Sequence, residues 1–137
     1  MKVKLDAGAF APTRSHSTDA GLDLKSPVST IIPAHGSAVI DTGVHVELPY
    51  GTAGMIKSRS GMNTKNGIVS EGVVDVGYVG SIKVKLYNHS NKDYLLQRGD
   101  KLTQLVIVEC QFPDVEIVDE LSEDTERGAD GFGSTGR

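Results

Sequence analysis

Residues 127–137 (Arg127, Gly128, Ala129, Asp130, Gly131, Phe132, Gly133, Ser134, Thr135, Gly136 and Arg137) concentrate groups that a packing role does not need. Four glycines and a single aromatic cannot bury enough apolar surface to fold alone, which predicts a flexible C-terminal arm when no ligand is bound. The same residues suit a phosphate. Glycines let backbone N–H groups approach an anion, Ser134 and Thr135 add donors, Arg127 can chelate phosphate oxygens, and Phe132 offers a flat face to a base. The composition is that of a lid ordering over a nucleotide. The plainer alternative is a solvated Gly/Ser terminus.

Four further stretches interrupt an otherwise strand-like chain. Asp19-Ala20-Gly21-Leu22-Asp23-Leu24 places two carboxylates about a turn. Gly54-Met55-Ile56-Lys57-Ser58-Arg59-Ser60-Gly61 ends a strand where a short helix begins, bringing Arg59, the Ser60 hydroxyl and free backbone N–H groups together, which suits an oxyanion. Ser60 could equally be a plain helix cap. Residues 72–80 read as a tight, glycine-flanked hairpin with one acid, Asp75, and one phenol, Tyr78; an Asp so placed is ordinarily a turn former. Arg98-Gly99-Asp100-Lys101 leads into an apolar strand containing Gln104, whose amide must find partners in the core or on a ligand.

Other chemistries are excluded by pattern. There is no Gly-x-x-x-x-Gly-Lys-[Ser/Thr] loop and no Gly-x-Ser-x-Gly elbow. His16, His35, His45 and His89 lack ligand spacing, and a single cysteine cannot build a structural zinc site. A metal, if bound, should be a hard cation bridged by phosphate oxygens and carboxylates, which points to Mg2+.

The elements that must position these groups follow a period of two. Ile82, Val84 and Leu86 alternate with Lys83, Lys85 and Tyr87, giving one buried and one wet face. Residues 38–40 and 44–48 flank Asp41-Thr42-Gly43 as a hairpin. Residues 102–108 read as a central strand, and residues 60–67 as a helix capped by Ser60 and stopped by Gly67. The fold expected is all-β, a jelly-roll-like barrel with one short helix and a C-terminal arm. Residues 1–118 would form the barrel and residues 119–137 an acidic linker and the arm. A formal charge of −4 opposes general nucleic-acid binding, which needs a broad basic face. Lone Cys110, in an apolar run, is expected to be an inert core thiol in a reducing compartment. The N-terminal residues lack an export signal and no run reaches membrane-spanning length, so a cytoplasmic, non-secreted protein is expected. Asn88-His89-Ser90 matches a glycosylation sequon, of little meaning without export.

In order and spacing, five stretches resemble the homotrimeric dUTPase family: residues 20–24, Arg59-Ser60-Gly61, residues 72–80, Arg98-Gly99-Asp100 with Gln104, and residues 127–136. Two positions depart from the family pattern, Asp130 in the arm and Gly77 before the tyrosine. The resemblance implies a trimer with three sites at subunit interfaces, each closed by a neighbour's arm. It implies dUTP hydrolysis to dUMP and pyrophosphate at the α-phosphorus, limiting uracil in DNA and supplying dUMP for dTMP synthesis. Asp75 would activate the water, and Asp23 would hold Mg2+ through a water. Arg59, Ser60, Gly61 and Gln104 would contact phosphates, joined by Arg127, Gly133, Ser134 and Thr135 from the arm. Gly72, Val73, Val74 and the hairpin as far as Lys83 would read uracil, Tyr78 would exclude a ribose 2′-OH, and Phe132 would stack on the base. A viral source would place it in the host cytoplasm or nucleus. Two rival readings are a dCTP deaminase of the same fold, with Glu71 as its acid–base residue, and a dUTP-responsive regulator that binds a protein partner.

Overall fold

The computed structural model describes residues 1–121 and Gly128. Arg127, Phe132, Gly133, Ser134 and Thr135 therefore lie outside the described residues, as does most of the expected arm. Among the described residues, ten strands and one helix run in the order β1 (Lys2–Leu5), β2 (Gly21–Lys25), β3 (Thr30–Ile32), β4 (Ser37–Asp41), β5 (Val44–Glu47), β6 (Thr52–Lys57), α1 (Ser60–Asn66), β7 (Ile68–Val74), β8 (Lys83–Asn88), β9 (Tyr94–Leu96) and β10 (Lys101–Glu109). Six of the strands form one antiparallel sheet, ordered β2-β10-β6-β7-β8-β4, and two small sheets pair β1 with β5 and β3 with β9. This is the expected all-β, jelly-roll-like architecture with a single short helix.

Alternation drives the packing. In β8 the side chains of Val84, Leu86 and Asn88 are buried while Lys83, Lys85 and Tyr87 are exposed. Leu24, Ile32, Val44, Leu86, Leu96 and Leu105 are wholly buried in one cluster, each burial favouring the fold by about 1.5–3 kcal/mol. β10 is central, hydrogen-bonded to β2 on one side and β6 on the other, as its two-faced apolarity predicts. Asn88, at the apparent sequon, is 1% exposed. Its amide donates to the carbonyls of Ile32 and Lys92, and its oxygen accepts from Ser90, so it is a core fastener.

Three local expectations fail. Residues 38–48 are not a hairpin, because β4 pairs with β8 and β5 pairs with β1. The chain instead turns a corner between sheets, where buried Thr42 donates its hydroxyl to the Ile82 carbonyl at 2.7 Å. Periodicity alone could not distinguish a corner from a turn. Ser60 is not the helix cap: Arg59 occupies that position in extended backbone, and no side chain caps the helix, although Gly67 ends it in the left-handed region at φ 66°. Cys110 lies just past β10 and is only half-buried, its N–H donating to the Gly51 carbonyl, so it is not a core residue.

Candidate active site

Two cavities hold most of the predicted residues that are described, one around Asp23 and Arg59 and the other around Asp75 and Tyr78. The first, about 280 Å3, is lined by Ser15, Asp19, Ala20, Gly21, Asp23, Arg59, Ser60 and Gln104. Adjacent strands set it up, since Gln104 sits directly between Asp23 of β2 and Lys57 of β6. Gln104 donates its amide N–H to the Ser58 carbonyl at 3.0 Å, and its side chain lies flat on Gly21, where an added Cβ would stand 2.9 Å from its Cδ. Any larger residue at position 21 would displace that amide.

Asp23 is the electrostatic centre of this cavity. One carboxylate oxygen accepts from Arg59 Nε at 2.8 Å and the other from Lys101 Nζ at 2.7 Å, with the Asp23 side chain 11% exposed. One buried anion between two cations leaves that triad net positive, while the ionised Asp19 carboxylate also lines the cavity. The outer guanidinium N–H groups of Arg59 stay available to phosphate oxygens. Ser60, the first residue of α1, and Gly61 after it are exposed beside Arg59. Since the Ser60 hydroxyl makes no cap bond, the plain helix-cap reading is overturned.

Sequence reasoning missed Lys101. In an unbroken strand Lys101, three residues before Gln104, would point to the opposite face. The register shifts between Lys101 and Thr103, so Lys101 pairs with Lys25 and comes round to the Asp23 side. A β-bulge of this kind re-aims a side chain. Nothing in the period-two pattern announces it. A basic residue opening the Gln104 strand was the available signal.

The second cavity, about 310 Å3, is lined by Ile56, Gly72, Val73, Val74, Asp75, Tyr78, Ile82 and Lys83. It lies where β7 gives way to the loop before β8. The hairpin is wider than expected: β7–β8 pairing stops at Ser70 and Leu86, and the tight part is the turn in which the Tyr78 N–H donates to the Asp75 carbonyl at 3.1 Å. That turn uses the main chain of Asp75 and a positive φ at Gly77. The exposed Asp75 carboxylate has no hydrogen bond or ion pair among the described residues, so it is not a side-chain turn former. The Tyr78 ring lies across Gly80, and its hydroxyl donates to the Ser81 carbonyl at 2.9 Å.

The β4–β5 corner holds this loop. Ser81 donates its hydroxyl to Asp41, and that bond, together with the Gly43 N–H, holds the Asp41 carboxyl below the usual carboxylate range. His45 reaches the Val79 carbonyl. Glu71, the deaminase candidate, is not among the cavity's lining residues; it pairs with Lys57 at 2.9 Å, which lowers its pKa and keeps it ionised.

Register measures how far apart Asp75 and Arg59 are. Gly54 faces Val74 and Lys57 faces Glu71, so Asp75 stands one step beyond one end of the paired region and Arg59 two steps beyond the other. Six residues of strand separate them, about 20 Å. A base must lie within hydrogen-bonding reach of its water, so the Asp75 and Arg59 of one chain cannot serve one phosphorus.

The donor set suits one kind of metal. Among the described residues no three His, Cys, Asp or Glu side chains converge as a cage. Asp23 has two of its roughly four acceptor positions engaged, leaving room for a metal-bound water. The residues fit a hydrated hard cation carried by substrate phosphates rather than one caged by protein. No helix among the described residues is long and apolar enough to cross a membrane.

A family profile described as dUTPase matches residues 8–136. A deoxyuridine 5'-triphosphate nucleotidohydrolase from Paramecium bursaria Chlorella virus 1 is 43% identical over 134 residues, covering 97% of this chain and 94% of the relative. The Staphylococcus bacteriophage 80alpha dUTPase with dUPNHPP, described among phage dUTPases that control transfer of virulence genes, superposes with a TM-score of 0.93 at 32% identity, covering 99% of this chain and 98% of that one. A point mutant of the dUTPase from phage phi11 of S. aureus, whose structure reveals coordination of a structural Mg(II) ion, gives a TM-score of 0.81 at 31% identity, covering 87% and 96%. Sequence and fold agree over nearly the whole length, and the chain belongs to the dUTPase family.

Proposed function

We propose that this chain hydrolyses dUTP to dUMP and pyrophosphate at sites completed between copies, with the base and nucleoside half from one copy and the phosphate half from another. The observation that carries this reading is the separation just described. A free carboxylate shares a cavity with Tyr78 and the β7 main chain, and the phosphate-binding group lies about 20 Å away in the same chain. Exposed apolar side chains beyond β10, Val115 at 90% and Ile117 at 95%, support assembly, because such surface is ordinarily covered by a partner. The resemblance gives the assembly as a trimer.

Asp75 orients a water and takes its proton as the water oxygen attacks the α-phosphorus, a role that contributes about 10²–10⁴-fold. Arg59, Ser60, Gly61 and Gln104 of the neighbouring copy bind the phosphates, Arg59 being held in place by Asp23. Electrostatic stabilisation by such fixed donors acts on charge that develops on the departing pyrophosphate. Asp23 holds the hydrated Mg2+, which when bound neutralises triphosphate charge. Gly72, Val73, Val74 and the main chain as far as Lys83 read the uracil edge, where cytosine would leave buried donors and acceptors unpaired. Tyr78 closes against the deoxyribose and leaves no room for a 2′-hydroxyl. Residues 119–137 act as linker and arm, with Arg127, Ser134 and Thr135 on the terminal phosphates, Gly133 giving close backbone approach and Phe132 on the base. The reaction keeps uracil out of DNA and yields dUMP.

The test is pyrophosphate release from dUTP, UTP, dCTP and dTTP with Mg2+, run in isotopically labelled water. Label in dUMP and rejection of the other three support the assignment. Label in pyrophosphate, or ammonia released from dCTP, overturns it.

A further inference from the structure

The loop that carries Tyr78 is held partly by a titratable residue outside both cavities. His45 of β5 is 17% exposed and stands between two acceptors. Its Nδ1 is 2.8 Å from the Val79 carbonyl oxygen, and its Nε2 is 3.0 Å from an Asp6 carboxylate oxygen. Neither acceptor can donate a proton. Both contacts are therefore hydrogen bonds only when both ring nitrogens carry one, that is, in the imidazolium form. Asp6 is itself fixed, its N–H donating to the Gly43 carbonyl and its own carbonyl accepting from Ala9. Val79 directly follows Tyr78 and is the first of three anchored loop residues, ahead of Ser81 on Asp41 and Ile82 on Thr42.

We propose that doubly protonated His45 is a positioning residue for the sugar-facing loop, so that dUTP affinity and rejection of ribonucleotides both weaken as His45 loses a proton. This rests on the role given above to Tyr78. The neutral ring keeps one N–H. The charge-assisted bond to Asp6 is the stronger of the two, so the proton stays on Nε2 and the Nδ1 lone pair is left facing the Val79 oxygen. The loop then loses its first anchor, while Asp41 and Thr42 still hold its far end.

On balance the surrounding groups favour the charged ring. The Val79 carbonyl first, then Asp6, raise the His45 pKa above its ordinary value, against the opposing effects of burial and, smaller still, of Lys4. Asp41 feels His45 and Lys83, and the paired Lys2 and Glu47 line the same cavity as His45 and Val79. Because the folded-state pKa is raised, the clamp is complete below the unfolded histidine value and is lost as pH rises through the folded one.

The experiment combines an NMR titration of the ligand-free protein with steady-state kinetics from about pH 6 to pH 9. The Tyr78, Val79 and Gly80 amide resonances should move with the midpoint of the His45 ring. KM for dUTP should rise about three- to tenfold across that midpoint, kcat changing less. His45→Gln should hold the high-pH KM at every pH. Asp6→Asn should move the transition to lower pH, which a merely structural contact would not do. Loop amides indifferent to the His45 titration, or identical KM profiles for the wild type and His45→Gln, overturn the proposal. Wild-type turnover of UTP equal to dUTP at every pH would instead refute the role of Tyr78, leaving the amide titration to decide the clamp alone.

Discussion

Gly80→Ala isolates the role of the Tyr78 ring without touching it. A Cβ at position 80 would stand 2.6 Å from Tyr78 Cζ and 2.9 Å from Cε2, closer than real Cβ contacts come. Gly80 does not occupy the left-handed region, so alanine strains no backbone and the ring must move instead. Rotation breaks the hydrogen bond from the Tyr78 hydroxyl to Ser81, which contributes about 0.5–1.5 kcal/mol. With Tyr78 46% exposed, the lower part of that range applies, and the Tm should fall by only about 2–4 °C. The functional effect should be larger. Shape-based exclusion of one added hydroxyl reaches about 10²-fold, so displacing the ring should raise the UTP-to-dUTP ratio of kcat/KM by about 10- to 100-fold. Pyrophosphate release measured on both substrates reads this directly. Tyr78→Phe is the control, since it keeps the ring and loses only the Ser81 bond; it should change the ratio less than about threefold. A Gly80→Ala enzyme that rejects UTP as well as the wild type does would refute the sugar-gate assignment.

Other outcomes follow from the same geometry. Asp75→Asn should lower kcat by about 10²–10⁴-fold with an unchanged urea midpoint, because the side chain supports nothing in the fold. Gly21→Ala should drive Gln104 off the Ser58 carbonyl and raise KM for dUTP about tenfold, with uracil recognition intact when dUMP binding is measured. Asp23→Asn strips the shared carboxylate from Arg59 and Lys101, both about one-third exposed, and should cost about 1–3 kcal/mol in urea unfolding together with a raised KM. Thr103→Val removes the buried partner of the Ser70 hydroxyl, 2.7 Å away, and should cost about 1–3 kcal/mol with KM unchanged.

The sequence revealed the strands better than their partners. Alternation at Ile82, Val84 and Leu86, and the two-faced apolarity of residues 102–108, require buried strands wherever they sit in the sheet. The same signal was ambiguous at residues 38–48, where a hairpin and a corner share one pattern and the buried Thr42 hydroxyl decides. The polar groups of the site stood out because they interrupt apolar periods, which is why Asp23, Arg59, Asp75 and Gln104 were legible. Lys101 was not, because a register shift aims it, and neither was the His45–Val79 contact, which joins residues 34 positions apart. The distance between Asp75 and Arg59 also needed the β6–β7 register, which one chain's residue spacing does not contain.

That distance has a genetic consequence. A copy damaged at Asp75 still presents an intact Arg59 end, and a copy damaged at Arg59 still presents an intact Asp75 end. In assemblies whose sites are shared, two inactive alleles expressed together regenerate whole sites, about a quarter of them on random mixing. Two lesions on one allele cannot be rescued by each other. A single lesion diluted among normal copies silences sites one at a time and spares the rest.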